Sequence, residues 1–131
     1  IASSMVEVPG ASQVVKGGFV TYQSVSKTML LGVPAEMIEQ YDVVSAEVAR
    51  AMAKGARERL GVDIAVSATG LAGPDGGTPE RPVGTVFLGV ATAKGVYDIP
   101  LHLTGNRARI RTLTMKNALN AVRLEAEGKD K

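Results

Sequence analysis

The chain has 131 residues, which is enough for one domain with a buried core and too few for two domains of ordinary size. Its 15 basic and 13 acidic residues are interspersed and give a net charge of +2, so no basic stripe marks a nucleic-acid partner. The absence of cysteine excludes disulfides, thiolate catalysis and cysteine-ligated metals within these residues.

Other residue types exclude further classes of function. With no tryptophan and few tyrosines and phenylalanines, the chain offers little surface on which bases could stack, so we expect no nucleic-acid partner. His102 is the only histidine, and its alternating run favours a strand face over a metal or catalytic role. No acidic pair resembles a metal site, and we expect neither metal nor cofactor. No apolar run reaches membrane-spanning length and no leader opens the chain, so we expect no membrane partner and a cytoplasmic location.

The first part of the chain is predicted to be mostly helical. Apolar spacing predicts the end of a helix over residues 1–8, and Phe19–Tyr22 is rich in strand-forming residues. Two short helices are predicted next, Ser24–Leu31 and Ala35–Gln40. A longer helix follows Ser45, a good N-cap residue, and ends at Gly61.

The second part predicts a sheet followed by a helix. Ile64–Ala68 has the pattern of a buried strand, and Gly84–Thr92 is apolar almost throughout, which favours a central strand covered on both faces. Val96–Leu103 returns antiparallel, with Pro100 at a bulge or edge. The last helix runs over 107–124 behind a cap at 104–106, and a charged, frayed tail follows from Glu125. This order predicts an α/β fold, a mixed sheet with helices on both faces.

The stretch Ser67–Thr85 holds five glycines and three prolines between two predicted core strands. Glycines let the main chain approach a ligand, and prolines restrict the shapes that the loop adopts. Together they favour a rigid cradle of amides suited to an anion or a carboxamide. The alternative is a long connection whose glycines satisfy turn geometry. The stretch matches neither the phosphate-loop lysine pattern nor dinucleotide spacing.

Ligands of α/β sheets bind at the carboxyl ends of the strands, so three features should meet there. They are the Tyr22–Lys27 turn, the Thr69–Gly77 loop and the helix start at Arg107. A partly desolvated Lys27 would lose its proton near neutral pH and act as the base for a serine or threonine nucleophile. The alternative for Lys27 is a solvated helix lysine.

Each other candidate residue also has a structural interpretation. Tyr22 fits a half-buried strand tyrosine as well as a site residue, and Thr69 is a candidate hydroxyl or an ordinary strand residue. Arg107 at a helix N-terminus is a candidate phosphate ligand or a surface residue. Asp75 fits a turn former better than a ligand.

Several stretches resemble the C-terminal domain of the CinA family of competence and damage-inducible proteins, a domain that also occurs alone as a nicotinamide-nucleotide amidase. They fall in order over nearly the whole chain, and the glycine-proline segment is the most specific. The matching stretches are Val8–Ser12, Gly18–Tyr22 with Lys27, Leu31–Val33, Val44–Ala49, Thr69–Glu80 and Pro82–Val86.

The resemblance implies a three-layer α/β/α domain that hydrolyses nicotinamide mononucleotide to nicotinate mononucleotide and ammonia. It implies a serine nucleophile in a Ser-Cys-Thr-Gly-Gly turn with Lys27 as its base, and Tyr22 and Thr69 as further catalytic residues. Arg107 would bind the substrate phosphate. The remaining substrate-binding residues would be Gly70, Gly73, Asp75, Gly76 and Gly77. The apolar helices leave room for a symmetric homodimer.

The chain departs from the family pattern in three places. The nucleophile turn should end just before Ile1, so we interpret residues 1–131 as one such domain without its first strand and that turn. Ser24-Val25 replaces the usual Asn-Glu, and Asp42 replaces a glycine. These departures motivate an alternative function, a catalytically silent nucleotide-binding or protein-interaction module. A third is an amidase for another small amide.

Overall fold

The computed structural model describes residues 1–128 and contains an antiparallel sheet flanked by helices. The predicted tail is helical as far as Glu127, and its last three residues lie outside the described part of the chain. The helices are α1 (Ala2–Met5), α2 (Ser24–Leu31), α3 (Ala35–Tyr41), α4 (Ala46–Leu60) and α5 (Arg107–Glu127), with a 3-10 turn at Ala11–Gln13. The strands are β1 (Ala65–Gly70), β2 (Thr85–Thr92) and β3 (Gly95–His102).

The strand order is β1-β2-β3, and both neighbouring pairs are antiparallel. β2 lies in the middle and is buried along most of its length, as its apolar sequence predicts. β3 lies at an edge, where a proline such as Pro100 is tolerated. The parallel pairing that a mixed sheet requires does not occur among the strands of residues 1–128.

The two faces of the sheet carry different helices, which follows from the alternation of side chains along each strand. On one face, the Ser67 hydroxyl donates a hydrogen bond to the main-chain oxygen of Ala49 in α4 at 2.6 Å. On the other face, Val86 and Leu88 pack with Ile110 of α5. The three-layer α/β/α arrangement with helices on both faces is therefore confirmed.

Local capping signals set the starts of the two long helices. The Ser45 hydroxyl accepts a hydrogen bond from the Val48 amide at 3.2 Å, and the Asn106 side chain accepts one from the Arg109 amide at 2.8 Å. Gly61 ends α4 in the left-handed conformation, with φ of 61°. These starts and ends agree with the prediction, because each depends on residues within one turn of the helix end.

The predicted strand Phe19–Tyr22 is wrong, because this segment is extended chain outside the sheet. Val20 and Tyr22 are strongly exposed, while Phe19 packs against the α2–α4 core. Strand propensity gives an extended backbone, but a strand also requires a hydrogen-bonded neighbour. β1 continues to Gly70, two residues beyond the predicted end, because Thr69 and Gly70 stay in register with β2. None of the helices within residues 1–128 combines the length and apolar character needed to cross a bilayer.

Candidate functional site

Lys27 is a buried lysine that no carboxylate of residues 1–128 contacts. Lys27 is 7% exposed, and its Nζ atom donates a hydrogen bond to the main-chain oxygen of Thr21 at 2.6 Å. No ion pair reaches this amine within residues 1–128. Burial lowers the pKa of Lys27 from its ordinary value. The surroundings therefore favour the neutral amine, which is the form that accepts a proton.

The packing of α2 explains why Lys27 is buried. Lys27 and Leu31 are four residues apart and are the buried residues of α2, as expected for one helix face. Leu31 belongs to a core cluster with Val48 and Met52 of α4. At Gly55 the two helices approach so closely that a Cβ atom would lie 1.9 Å from the Leu31 oxygen. The contact with α4 thus turns the Lys27 face inward.

Tyr22 directly follows Thr21, the residue that accepts the hydrogen bond of the Lys27 amine, but the Tyr22 side chain is open to solvent. The hydrogen bond from Lys27 fixes Thr21, the residue just before it, which is itself buried. Tyr22 is 84% exposed, so the half-buried strand position considered for it is wrong. The structure therefore brings Lys27 together with the main chain of the Tyr22 segment.

The Thr69 hydroxyl is engaged inside the protein. Thr69 is 6% exposed, and its Oγ1 donates a hydrogen bond to the Val43 oxygen at 2.8 Å, at the connection between α3 and α4. It faces the α4 layer because it lies two residues after Ser67 along β1 and so points to the same face of the sheet. The residue lies at the strand end as predicted, and its one hydroxyl proton already has an acceptor.

The glycine-proline loop, which we define as residues 71–84, follows β1 and is closed at its base by main-chain hydrogen bonds. The Leu71 amide donates to Thr85 at 3.0 Å, and the Gly84 amide donates to Leu71 at 2.8 Å. The amides of residues 72, 73 and 75–77 donate to no protein acceptor within residues 1–128. Buried amides in folded proteins are nearly always paired. The amide of buried Gly73 has no protein acceptor within residues 1–128, so we expect a ligand or a water molecule to accept its hydrogen bond.

Several of the loop glycines are required by close packing and backbone conformation. A Cβ atom at Gly73 would lie 2.6 Å from a Val83 methyl group, and one at Gly77 would lie 2.8 Å from the Val83 nitrogen. Gly73 and Gly76 also have positive φ values of 78° and 96°. Asp75 is exposed at the tip, in agreement with a turn role. Turn geometry therefore explains part of the glycine content of the loop. It does not account for the open amides, which agree with the amide cradle.

Arg107 and the loop are in direct contact. The Nη1 atom of Arg107, at the start of α5, donates a hydrogen bond to the Gly73 oxygen at 2.9 Å. The loop and the helix start at Arg107 were predicted to meet, and this hydrogen bond joins them. The role of Arg107 as a phosphate ligand stays a prediction.

A cavity of about 490 Å³ opens beside the loop base, between the sheet and α5. Gly70 and Ala72 line it from the loop side, and Ala108, Ile110 and Arg111 line it from α5. Its volume lies in the range of small-molecule sites. Lys27 is not among the described residues that line this cavity, so the cavity and the buried amine are separate features. No group of three or more metal-ligating side chains occurs within residues 1–128.

Sequence reasoning also missed Arg81, which lies between two loop prolines. Its Nε donates to the Val44 oxygen at 2.8 Å, and its Nη2 donates to the Tyr41 oxygen at 2.9 Å. In the sequence it reads as an ordinary loop charge beside Glu80. No local signal could have found these contacts, because the acceptors lie 37 and 40 residues earlier in the chain.

Comparison with known proteins gives one consistent family. A sequence profile of the CinA C-terminal domain matches residues 1–126. A CinA-like protein of Citrifermentans bemidjiense is 48% identical over 94% of this chain and 30% of its own length. A CinA-like protein of Gemmatimonas aurantiaca is 46% identical over 94% of this chain and 29% of its own length. The chain thus spans about three tenths of these curated relatives.

A solved structure agrees with the sequence relatives. The competence/damage inducible protein CihA from Agrobacterium tumefaciens superposes with a TM-score of 0.90 at 38% identity. The match covers 92% of this chain and 74% of that chain. The helix and sheet layers described above are therefore those of a known structure.

Proposed function

Because the chain belongs to the CinA C-terminal domain family, we propose that it forms part of a nicotinamide-nucleotide amidase in which Lys27 is the general base. The reaction would convert nicotinamide mononucleotide and water to nicotinate mononucleotide and ammonia. The observation that carries the proposal is the buried Lys27 amine, which no carboxylate contacts within residues 1–128 and whose pKa is lowered by burial.

The proposed mechanism is a Ser-Lys hydrolysis. The serine would come from a Ser-Cys-Thr-Gly-Gly turn, which the 131 residues do not contain. Neutral Lys27 would take the serine proton as the oxygen attacks the carboxamide carbon, and would return that proton to the leaving ammonia. Water would then hydrolyse the acyl-enzyme, with the same amine as base. Open main-chain amides of the loop would stabilise the oxyanion in each step.

Three features support a nucleotide substrate. Its open amides can donate to phosphate or carboxamide oxygens, and Arg107 adds a positive charge at its edge. Tyr22 is exposed beside the Lys27 segment, where it could contact a bound substrate.

The experiment is the release of ammonia from nicotinamide mononucleotide by the full-length protein. Lys27→Ala should lower kcat at least about a hundredfold, the usual contribution of a positioned acid-base group. Lys54→Ala removes an exposed helix lysine and should leave the rate unchanged. An unchanged rate in Lys27→Ala would contradict the role of Lys27. A preference for free nicotinamide would contradict the phosphate assignment.

A second function is a catalytically silent nucleotide-binding or protein-interaction module. The observation that favours it is the Ser24-Val25 departure, because these two residues stand where the family usually has Asn-Glu. Tight nucleotide binding by calorimetry, with no product after hours, would support this function and contradict the amidase.

A further inference from the structure

Arg81 ties the far end of the glycine-proline loop to another part of the chain. Its guanidinium donates two hydrogen bonds, to the main-chain oxygens of Tyr41 and Val44, at 2.9 and 2.8 Å. These oxygens belong to the α3–α4 connection, which we define as residues 41–45. A planar guanidinium presents its donors in a fixed fork, so two such contacts restrict both the position and the orientation of the loop.

Two other side chains hold the same connection. Thr69, at the end of β1, donates to the Val43 oxygen at 2.8 Å, and Ser45 donates to the Asp42 oxygen at 2.8 Å. The four consecutive oxygens of residues 41–44 therefore all accept hydrogen bonds from side chains. Both ends of the loop contribute, since Thr69 precedes it and Arg81 lies near its close. The α3–α4 connection is thus a fixed base on which the loop is mounted.

The backbone around Arg81 is itself ordered. The Arg81 amide donates to the Thr78 hydroxyl at 3.0 Å, and the Thr78 amide donates to the Arg81 oxygen at 2.9 Å. These two bonds close a turn directly after the open amides of residues 75–77. The contacts of the Arg81 side chain therefore also restrain the neighbouring segment that carries those amides.

We propose that Arg81 is a positioning residue that holds the open amides of the loop in one geometry toward a bound nucleotide. We call the restraint of the loop by Arg81 the mechanical step, and the binding of a nucleotide by the loop amides the ligand step. The ligand step rests on the function proposed above, whereas the mechanical step does not. Arg81 touches no reacting atom in this account. Its loss acts through the loop and leaves Lys27, which lies in α2, in place.

The mechanical step is tested by amide hydrogen exchange in Arg81→Lys, which keeps the charge but loses the fork. The matched control is Arg57→Lys, because Arg57 also donates from Nε to a main-chain oxygen, that of Asp63, at the other end of α4. Exchange at Leu71, Thr78 and Gly84 should become at least about tenfold faster in Arg81→Lys only, given the strength of charge-assisted bonds. Equal exchange in the two variants would overturn the proposal.

Exchange at Leu88, in the centre of β2, separates positioning from general destabilisation. Positioning predicts wild-type exchange at Leu88, and a matching acceleration there would overturn the proposal. For the ligand step, the full-length Arg81→Lys enzyme should have kcat/KM for nicotinamide mononucleotide lowered at least about tenfold, because the loop amides are proposed both to bind the nucleotide and to stabilise the oxyanion. Faster loop exchange with unchanged kcat/KM would also overturn it. If the wild-type protein does not hydrolyse this nucleotide, the substrate assignment fails while the exchange result still decides the mechanical step.

Discussion

The main-chain oxygen of Thr21 accepts a hydrogen bond from the Lys27 amine, 2.6 Å away and six residues further along the chain. This contact joins the extended segment before α2 to the buried face of that helix. A carbonyl satisfies one N–H of the amine without neutralising its charge. Burial therefore acts on the Lys27 pKa without opposition from a carboxylate in residues 1–128.

The lowered pKa predicts a specific dependence of stability on pH. In the native state Lys27 releases its proton at a lower pH than in the unfolded chain, where its pKa has the ordinary value of 10.5. Between the native and unfolded pKa values the unfolded state binds more protons, so the free energy of unfolding rises with pH. Lys27→Met should remove this rise in urea unfolding. Lys54→Met is the control, and equal pH slopes in both variants would contradict the prediction.

Thr69 should matter for stability through its hydroxyl. Thr69→Val leaves the partly buried Val43 oxygen without its donor and should lower the free energy of unfolding by about 0.5–1.5 kcal/mol, the usual net contribution of one hydrogen bond. Thr69→Ser keeps the hydroxyl and should lose less. Urea denaturation compares the two variants, and equal stabilities would show that the contact with Val43 contributes nothing.

Asp42 should be a site of backbone strain. Its φ of 75° and ψ of 157° fall where glycine is favoured, and it is the one non-glycine residue with positive φ in residues 1–128. Asp42→Gly should therefore raise the free energy of unfolding by roughly 1 kcal/mol. Asp42→Ala keeps the strain and loses the contact of the carboxylate with the Val43 amide, so it should be less stable than wild type. Equal midpoints for the two variants in urea would argue against strain.

Gly55 should not tolerate a side chain, although alanine normally stabilises a helix interior by about 1 kcal/mol relative to glycine. A Cβ atom at Gly55 would lie 1.9 Å from the Leu31 oxygen, so α2 must move away from α4. Gly55→Ala should therefore lower the free energy of unfolding by about 1–3 kcal/mol. Thermal unfolding checks this, with the exposed neighbour Lys54→Ala as control. A higher Tm for Gly55→Ala would contradict the close approach.

The sequence predicted features that depend on neighbouring residues and missed those that depend on distant ones. The caps at Ser45 and Asn106 involve residues three positions away, and both were located correctly. The buried pattern of β2 likewise identified the central strand. The strand predicted at Phe19–Tyr22 failed because propensity does not supply a hydrogen-bonded partner.

The candidate site shows the same division. Residue type and pattern made Lys27 and the loop glycines candidates, and the Arg107 contact with Gly73 follows from the predicted meeting of helix start and loop. The engagement of the Thr69 hydroxyl and the two contacts of Arg81 were not predictable. Each is a bond from a side chain to a main-chain oxygen that only the folded chain brings near.

The central claim is that burial lowers the pKa of Lys27, so that its amine loses its proton more readily than the amine of an exposed lysine. The most direct measurement is an NMR titration of the Lys27 side chain, assigned by its loss in Lys27→Met and compared with the exposed Lys54. The account predicts a midpoint for Lys27 below 10.5, the ordinary value for a lysine side chain. A midpoint at or above 10.5 would contradict it.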